Sequence, residues 1–194
     1  MNPDDRAVLG IAASPHSSGN TATAVRAVLR GAEEAGLSAT FRCLSDFNIK
    51  PLVAASGKPL GVGDPVDDMV SFYPLLESMA GIVFGTPIYF DHVSARAKIF
   101  IDRLISYSSG DRKGKLAGGL PAVVVIAYEW DKPDAYDDVG EWIKGRLEHY
   151  FHMKVLNVLS IGGTSNAPVE CRKGLIRRAH DAGREMARFV SNRS

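Results

Sequence analysis

The stretch Ser14-Pro15-His16-Ser17-Ser18-Gly19-Asn20-Thr21 decides how this chain is read. An apolar run, Ala7-Val8-Leu9-Gly10-Ile11-Ala12-Ala13, precedes it and has the unbroken apolar character of a strand buried in a parallel sheet. Residues 22–35, Ala-rich and amphipathic, follow it and read as a helix. A small hydroxyl-rich loop between strand and helix leaves free backbone N–H groups at the helix start, where the dipole is positive. Ser14, Ser17, Ser18 and Thr21 add hydroxyls, Asn20 an amide, and His16 a side chain able to carry charge. That donor set suits a phosphate monoester. The same residues also fit an ordinary helix start capped by Asn20 or Thr21, so the loop alone leaves both readings open.

Working outward, strand-like and helix-like segments alternate. Residues 38–44, 81–85, 122–128 and 154–161 read as further strands, and residues 66–79, 94–107, 136–151 and 169–190 as further helices. Five strands alternating with five helices predict an α/β fold, a three-layer α/β/α sandwich with a five-stranded parallel sheet. At 194 residues the chain is expected to form a single domain over 1–194. Residues 47–65, with three prolines and three glycines, form one irregular loop longer than a simple connection.

Composition excludes several classes. The formal net charge is +1, so no basic field points to nucleic acid. Two cysteines, Cys43 and Cys171, are too few for a disulfide framework or a thiolate cluster. No apolar run approaches membrane-spanning length, and the polar start Met1 to Arg6 leads into no signal-like stretch, so no membrane association and a cytoplasmic location are expected. Gly61-Val62-Gly63 lacks a preceding strand and a third glycine, and no P-loop is present. His149 and His152, beside Glu148, read as a solvated helix face rather than a metal site, and no metal is expected. Asp102 and Arg103 read as partners in structural ion pairs or interface contacts rather than as catalytic groups.

In such sheets ligands bind beyond the carboxyl ends of the strands, near the point where strand order reverses. The turn after the third strand, Thr86-Pro87-Ile88-Tyr89-Phe90, is therefore the second place to look. Pro87 fixes the backbone, and Tyr89 and Phe90 offer rings on which a planar ligand could stack. Equally, Ile88, Tyr89 and Phe90 could plug the top of the core.

Taken together, the two loops resemble those of the flavodoxin-like NADPH-dependent FMN reductase family. The resemblance rests on Ser14, Pro15, Gly19, Asn20 and Thr21, and on Thr86-Pro87-Ile88-Tyr89-Phe90 followed by Ser94-Ala95 and Lys98-Ile99-Phe100-Ile101-Asp102-Arg103. It implies that Ser14, His16, Ser17, Ser18, Gly19, Asn20 and Thr21 surround the FMN phosphate. Thr86, Pro87, Ile88, Tyr89 and Phe90 would line the isoalloxazine ring. It further implies NADPH or NADH as reductant, a quinone, flavin or other small molecule as electron acceptor, and a homodimer or homotetramer. No side chain is expected to act as acid or base; orientation, water exclusion and electrostatics are the protein's part. Two other classes share the fold: a flavodoxin-type electron carrier without NAD(P)H activity, and a flavin-free scaffold or regulator.

Three departures from the family pattern matter. His16 stands where arginine is common, giving a weaker and pH-dependent contact to phosphate. Tyr128-Glu129-Trp130-Asp131 replaces a glycine-rich turn and brings negative charge. The resemblance is nearest the iron–sulfur flavoprotein branch, whose cysteine motif precedes an Asp-Asp-Met helix start. Asp67-Asp68-Met69 and Pro51 are present, but Leu52, Ala55, Lys58 and Gly63 stand at the cysteine positions. A cluster needs four ligands, so a flavin-only protein is expected.

Overall fold

The computed structural model describes residues 7–53 and 65–193. Its strands are β1 (Ala7–Ala12), β2 (Ser38–Cys43), β3 (Gly81–Tyr89), β4 (His92–Val93), β5 (Pro121–Ala127) and β6 (Lys154–Ile161). Five of them form the expected parallel sheet in the order β2-β1-β3-β5-β6, and the short β4 pairs antiparallel with β3. This is the flavodoxin-like arrangement, with the order reversing between β1 and β3. Every loop that follows a parallel strand therefore opens on one edge of the sheet.

The two-residue period of the strands sorts side chains onto two cores. Leu9, Ile11, Ile82, Phe84, Val124 and Ile126 face α2 (Phe72–Ser78), α3 (Ala95–Arg103) and α5 (Asp137–Phe151). Val8, Val83, Val123 and Val125 face α1 (Asn20–Glu34) and α6 (Lys173–Ser191). Burial on both faces explains why these strands read as apolar runs rather than alternating ones. α1 and α6 cross closely because Gly31 and Gly183 carry no side chain. A Cβ on Gly183 would collide with the Val28 carbonyl oxygen, and one on Gly31 with that of His180.

Three expected elements differ. The helix read over 66–79 is a 3-10 turn (Asp68–Ser71) running into the short α2, because Pro74 has no N–H and fits only the first turn of a regular helix. The helix read over 94–107 divides at Leu104 into α3 and α4 (Ile105–Ser108), where one amide is shared between the Phe100 and Ile101 carbonyls. The third strand, read over 81–85, continues to Tyr89 and turns back as β4, so residues 86–90 are not a loop but most of a β-hairpin.

An ion pair fixes the far end of α3. The Arg103 guanidinium donates to Asp67 Oδ2 at 2.6 Å and to the Lys50 carbonyl at 2.9 Å, with both charged side chains fully buried. Asp67 also accepts from the Lys50 and Met69 amides at 2.8 and 2.9 Å. Burial pushes its carboxyl up, but Arg103 and these amides outweigh burial and hold it below the ordinary value of 3.8. Arg103 thus takes the structural role expected of it, as does Asp102, bound by Lys98 one turn back. Residues 54–64 fall outside the described residues, so Ala55, Lys58 and Gly63, read as occupants of cysteine positions, do too. Leu52 lies within them, partly buried.

Candidate functional site

A cleft of about 960 Å³ opens at the carboxyl edge of the sheet, between the β3–β4 hairpin and the loops that follow β1, β5 and β6. Its size suits a ligand as large as a mononucleotide. Ser14, His16, Gly19, Asn20 and Thr21 line one end; Pro87, Ile88, Tyr89 and Phe90 line the other. Most of the residues singled out in the two loops therefore meet in one cavity, although they lie some seventy positions apart in sequence.

At the first end, Gly19 occupies the cap position of α1 in an extended conformation, with no side chain capping the helix. This corrects the reading of Asn20 or Thr21 as an ordinary cap. Asn20 Oδ1 instead accepts from the Val169 amide at 2.9 Å, and Thr21 is buried inside the first turn. The amides of Asn20, Thr21 and Ala22 have no earlier carbonyl within the helix, which leaves them available to an anion. Ser14 Oγ accepts from the His16 amide at 3.2 Å, and the Gly19 amide donates to the His16 carbonyl at 3.2 Å, which curls the loop. Ser17 and Ser18 are exposed and do not line the cleft, so neither hydroxyl stands with the other donors.

Thr86 is also displaced from its expected role. It is fully buried, and its hydroxyl donates to the Pro87 carbonyl at 2.9 Å while accepting from the Ser94 amide at 3.1 Å. Ser94 Oγ in turn donates to the Ala13 carbonyl at 2.8 Å and accepts from the Ala97 amide at 3.2 Å, capping α3. A neutral, buried chain of hydrogen bonds thus ties the start of the first loop to the root of the hairpin. Thr86 does not line the cleft.

The second end is aromatic. Phe90 and Asp91, at φ 49° and 62°, form the two-residue tip between the paired Tyr89 and His92. Tyr89 is half-exposed and the Phe90 side chain is fully exposed. Across from them stand Tyr128, Glu129, Trp130 and Tyr136, with Thr164 and Ser165 completing the lining. The Tyr136 ring meets Tyr128 edge-on at 4.9 Å. Burial pushes the Tyr128 hydroxyl up, helped by Asp137 and Asp134; its hydrogen bond to Asp91 pushes Tyr136 up. Both phenols therefore stay protonated at neutral pH.

Sequence reading missed Tyr136, Thr164 and Ser165. The latter two had a usable signal, since they follow β6 on the same edge as the other loops. Tyr136 had none, for it reaches the cleft from a helix start. Glu129 stands among the aromatics and the α1 dipole presents its positive end at the first end, so the field there favours an anion.

The NADPH-dependent FMN reductase family matches residues 7–130. The chain belongs to that family. The match runs through both loops and ends within the Tyr128-Glu129-Trp130 segment, so Tyr136, Thr164 and Ser165 lie beyond it. An iron–sulfur flavoprotein of Methanocaldococcus jannaschii is 32% identical over 117 residues, covering 60% of this chain and 61% of that relative. The chain thus matches less than two thirds of that protein's length. Two solved structures share the fold. The NAD(P)H:quinone oxidoreductase of Methanothermobacter marburgensis superposes with TM-score 0.67 at 19% identity, over 93% of this chain and 95% of that one. The FMN-dependent NADH-azoreductase of Bacillus anthracis, in complex with FMN, superposes with TM-score 0.65 at 15% identity, over 94% of this chain and all of that one. Among the described residues, no helix is long and apolar enough to cross a membrane.

The lining fits an FMN-sized group. Uncapped amides, Ser14 and His16 offer donors for a phosphate at one end, and Pro87 with the aromatic side chains offers apolar faces for a ring at the other.

Proposed function

We propose that this protein binds FMN in the cleft and is an NAD(P)H-dependent oxidoreductase, taking hydride from NADPH or NADH and serving a quinone, flavin or other small acceptor. One observation carries the reading: an uncapped helix start with polar donors and an aromatic wall face each other across a single cleft. When bound, FMN supplies the electron chemistry. The chain's residues bind, orient and exclude water. The Asn20, Thr21 and Ala22 amides, Ser14 and His16 hold the phosphate, while Pro87, Ile88, Tyr89 and Phe90 border the ring. No side chain need move a proton, and none is assigned that task.

Two further parts belong to the proposal. The protein carries flavin without an iron–sulfur cluster, because its two cysteines cannot supply four thiolates. It acts as a homodimer or homotetramer, whose second copy would cover the open, aromatic side of the cleft.

Titrating the protein with FMN and with riboflavin, followed by visible absorbance and flavin fluorescence, tests the assignment. FMN should bind far more tightly, since the phosphate contacts are charge-assisted. Equal affinity would remove the phosphate end from the argument. Oxidation of NADPH or NADH by the FMN-loaded protein under air then separates an enzyme from an electron carrier.

A further inference from the structure

The hairpin that forms the aromatic end is short and carries an unusual tip. Only two residue pairs, Ile88 with Val93 and Tyr89 with His92, hold it together. A ribbon of that size has little stability of its own. Its tip places Phe90 and Asp91 in the left-handed region, which Asp tolerates and a bulky aromatic does not. Packing does not explain the residue, because the Phe90 side chain is fully exposed. Its location does, since it lines the cleft beside Tyr89.

Contacts from outside must therefore set where this tip stands. His92 meets the Trp142 ring of α5 edge-on at 4.9 Å, which holds the base of β4. The tip itself is held by Tyr136, whose hydroxyl donates to Asp91 Oδ1 at 2.8 Å. Tyr136 is in turn braced by the rings of Tyr128 and Trp130, both of which line the cleft. The bond thus joins the two sides of the aromatic end across its mouth.

We propose that the Tyr136–Asp91 hydrogen bond is a latch that positions the Phe90 tip at the mouth of the cleft and so governs which planar electron acceptors enter. Tyr136 and Asp91 are positioning residues; Phe90 is the group an acceptor meets. The acceptor-selecting role rests on the proposed function, whereas the latch itself does not. Such an arrangement favours flat aromatic acceptors that can lie against Phe90 and Tyr89 over compact non-planar ones.

Two measurements test this, one independent of any flavin. In Tyr136→Phe, which keeps the ring and removes only the donor, amide hydrogen exchange over residues 90–93 should accelerate by about tenfold, the size one charge-assisted hydrogen bond carries. In FMN-loaded protein, the KM for a naphthoquinone should rise several-fold and more than kcat falls, while that for ferricyanide moves little. Asp91→Asn retains an acceptor oxygen but not its charge, and should fall between the parent protein and Tyr136→Phe in both readouts. Unchanged exchange in Tyr136→Phe would overturn the latch. Faster exchange with an unchanged ratio of the two KM values would overturn the selective role. Failure of the parent protein to bind FMN would sink the proposed function and the acceptor-selecting half with it, and exchange would still decide the latch.

Discussion

The two ends of the cleft are built on opposite principles. At the α1 end the donors are mainly backbone amides, the side chains are small, and the loop is tied down by buried hydrogen bonds from Ala13 to Gly85 and from Ser94 to Ala13. At the hairpin end the surfaces are large rings, half or wholly exposed, on a turn whose backbone is costly. The first end is preorganised by the fold; the second depends on a few contacts made late in the chain. Rigidity suits a cofactor that stays, and adaptability suits substrates that come and go.

The largest expected effect concerns what the two ends share. α3 starts at Ser94, beside the hairpin, and ends at Arg103, locked to Asp67. Asp67→Asn leaves the Arg103 charge buried without its counterion and should lower stability by about 3–5 kcal/mol, read by denaturant titration. It should weaken both ends alike, so loss of FMN affinity alone would show that the frame is not shared. Acid should reproduce the effect. The Asp67 carboxyl lies below its ordinary 3.8 in the fold, so the unfolded chain takes up the proton first. The contribution is whole above about pH 5, fades as pH falls through 3.8, and is gone below the folded value. Asp67→Asn should flatten that part of the stability curve.

Next comes the link itself. Ser94→Ala removes the cap of α3 and leaves the Ala13 carbonyl without its donor, a loss of about 2 kcal/mol in stability. FMN affinity should fall with it, because the Ala13 carbonyl anchors the first loop. Unaltered FMN binding in a destabilised Ser94→Ala protein would mean that the loop holds its shape without the hairpin.

How much of this was legible differs between the ends for the same physical reason. Unbroken apolar runs such as Ala122 to Ala127 announced the parallel sheet, and a hydroxyl-rich loop between a strand and a helix marked the α1 end, because local spacing alone creates both. The hairpin was hidden, since nothing in Tyr89-Phe90-Asp91-His92 carries the glycine or asparagine usual in such a turn. Thr86 looked like a ligand contact because its burial, and its bond to Ser94, depend on a residue eight positions away. Tyr136 was invisible for a similar reason, as its partner Asp91 lies 45 residues back.

A smaller effect separates the ends by charge. His16 lines the α1 end, so His16→Ala should weaken FMN by about 1–3 kcal/mol and leave riboflavin binding nearly unchanged. His16→Arg, always charged, should hold or raise FMN affinity. An FMN dissociation constant indifferent to His16→Ala would show that the amides and Ser14 hold the phosphate without it.

The smallest effect on stability should have the opposite sign. Phe90 holds a left-handed backbone and its side chain buries nothing, so the fold gains no packing in return for the strain. Asparagine accepts that conformation readily and suits the first central position of such a turn. Phe90→Asn should therefore raise stability by about 0.5–1 kcal/mol, visible as a small increase in Tm. Turnover with a naphthoquinone should fall at the same time, while FMN affinity changes less, because the residue serves the acceptor more than the cofactor. A destabilised Phe90→Asn protein would place the ring against some surface of the protein, most simply a second copy at the mouth of the cleft. Higher stability with undiminished turnover would leave the strained aromatic without a task and erase the contrast between the two ends.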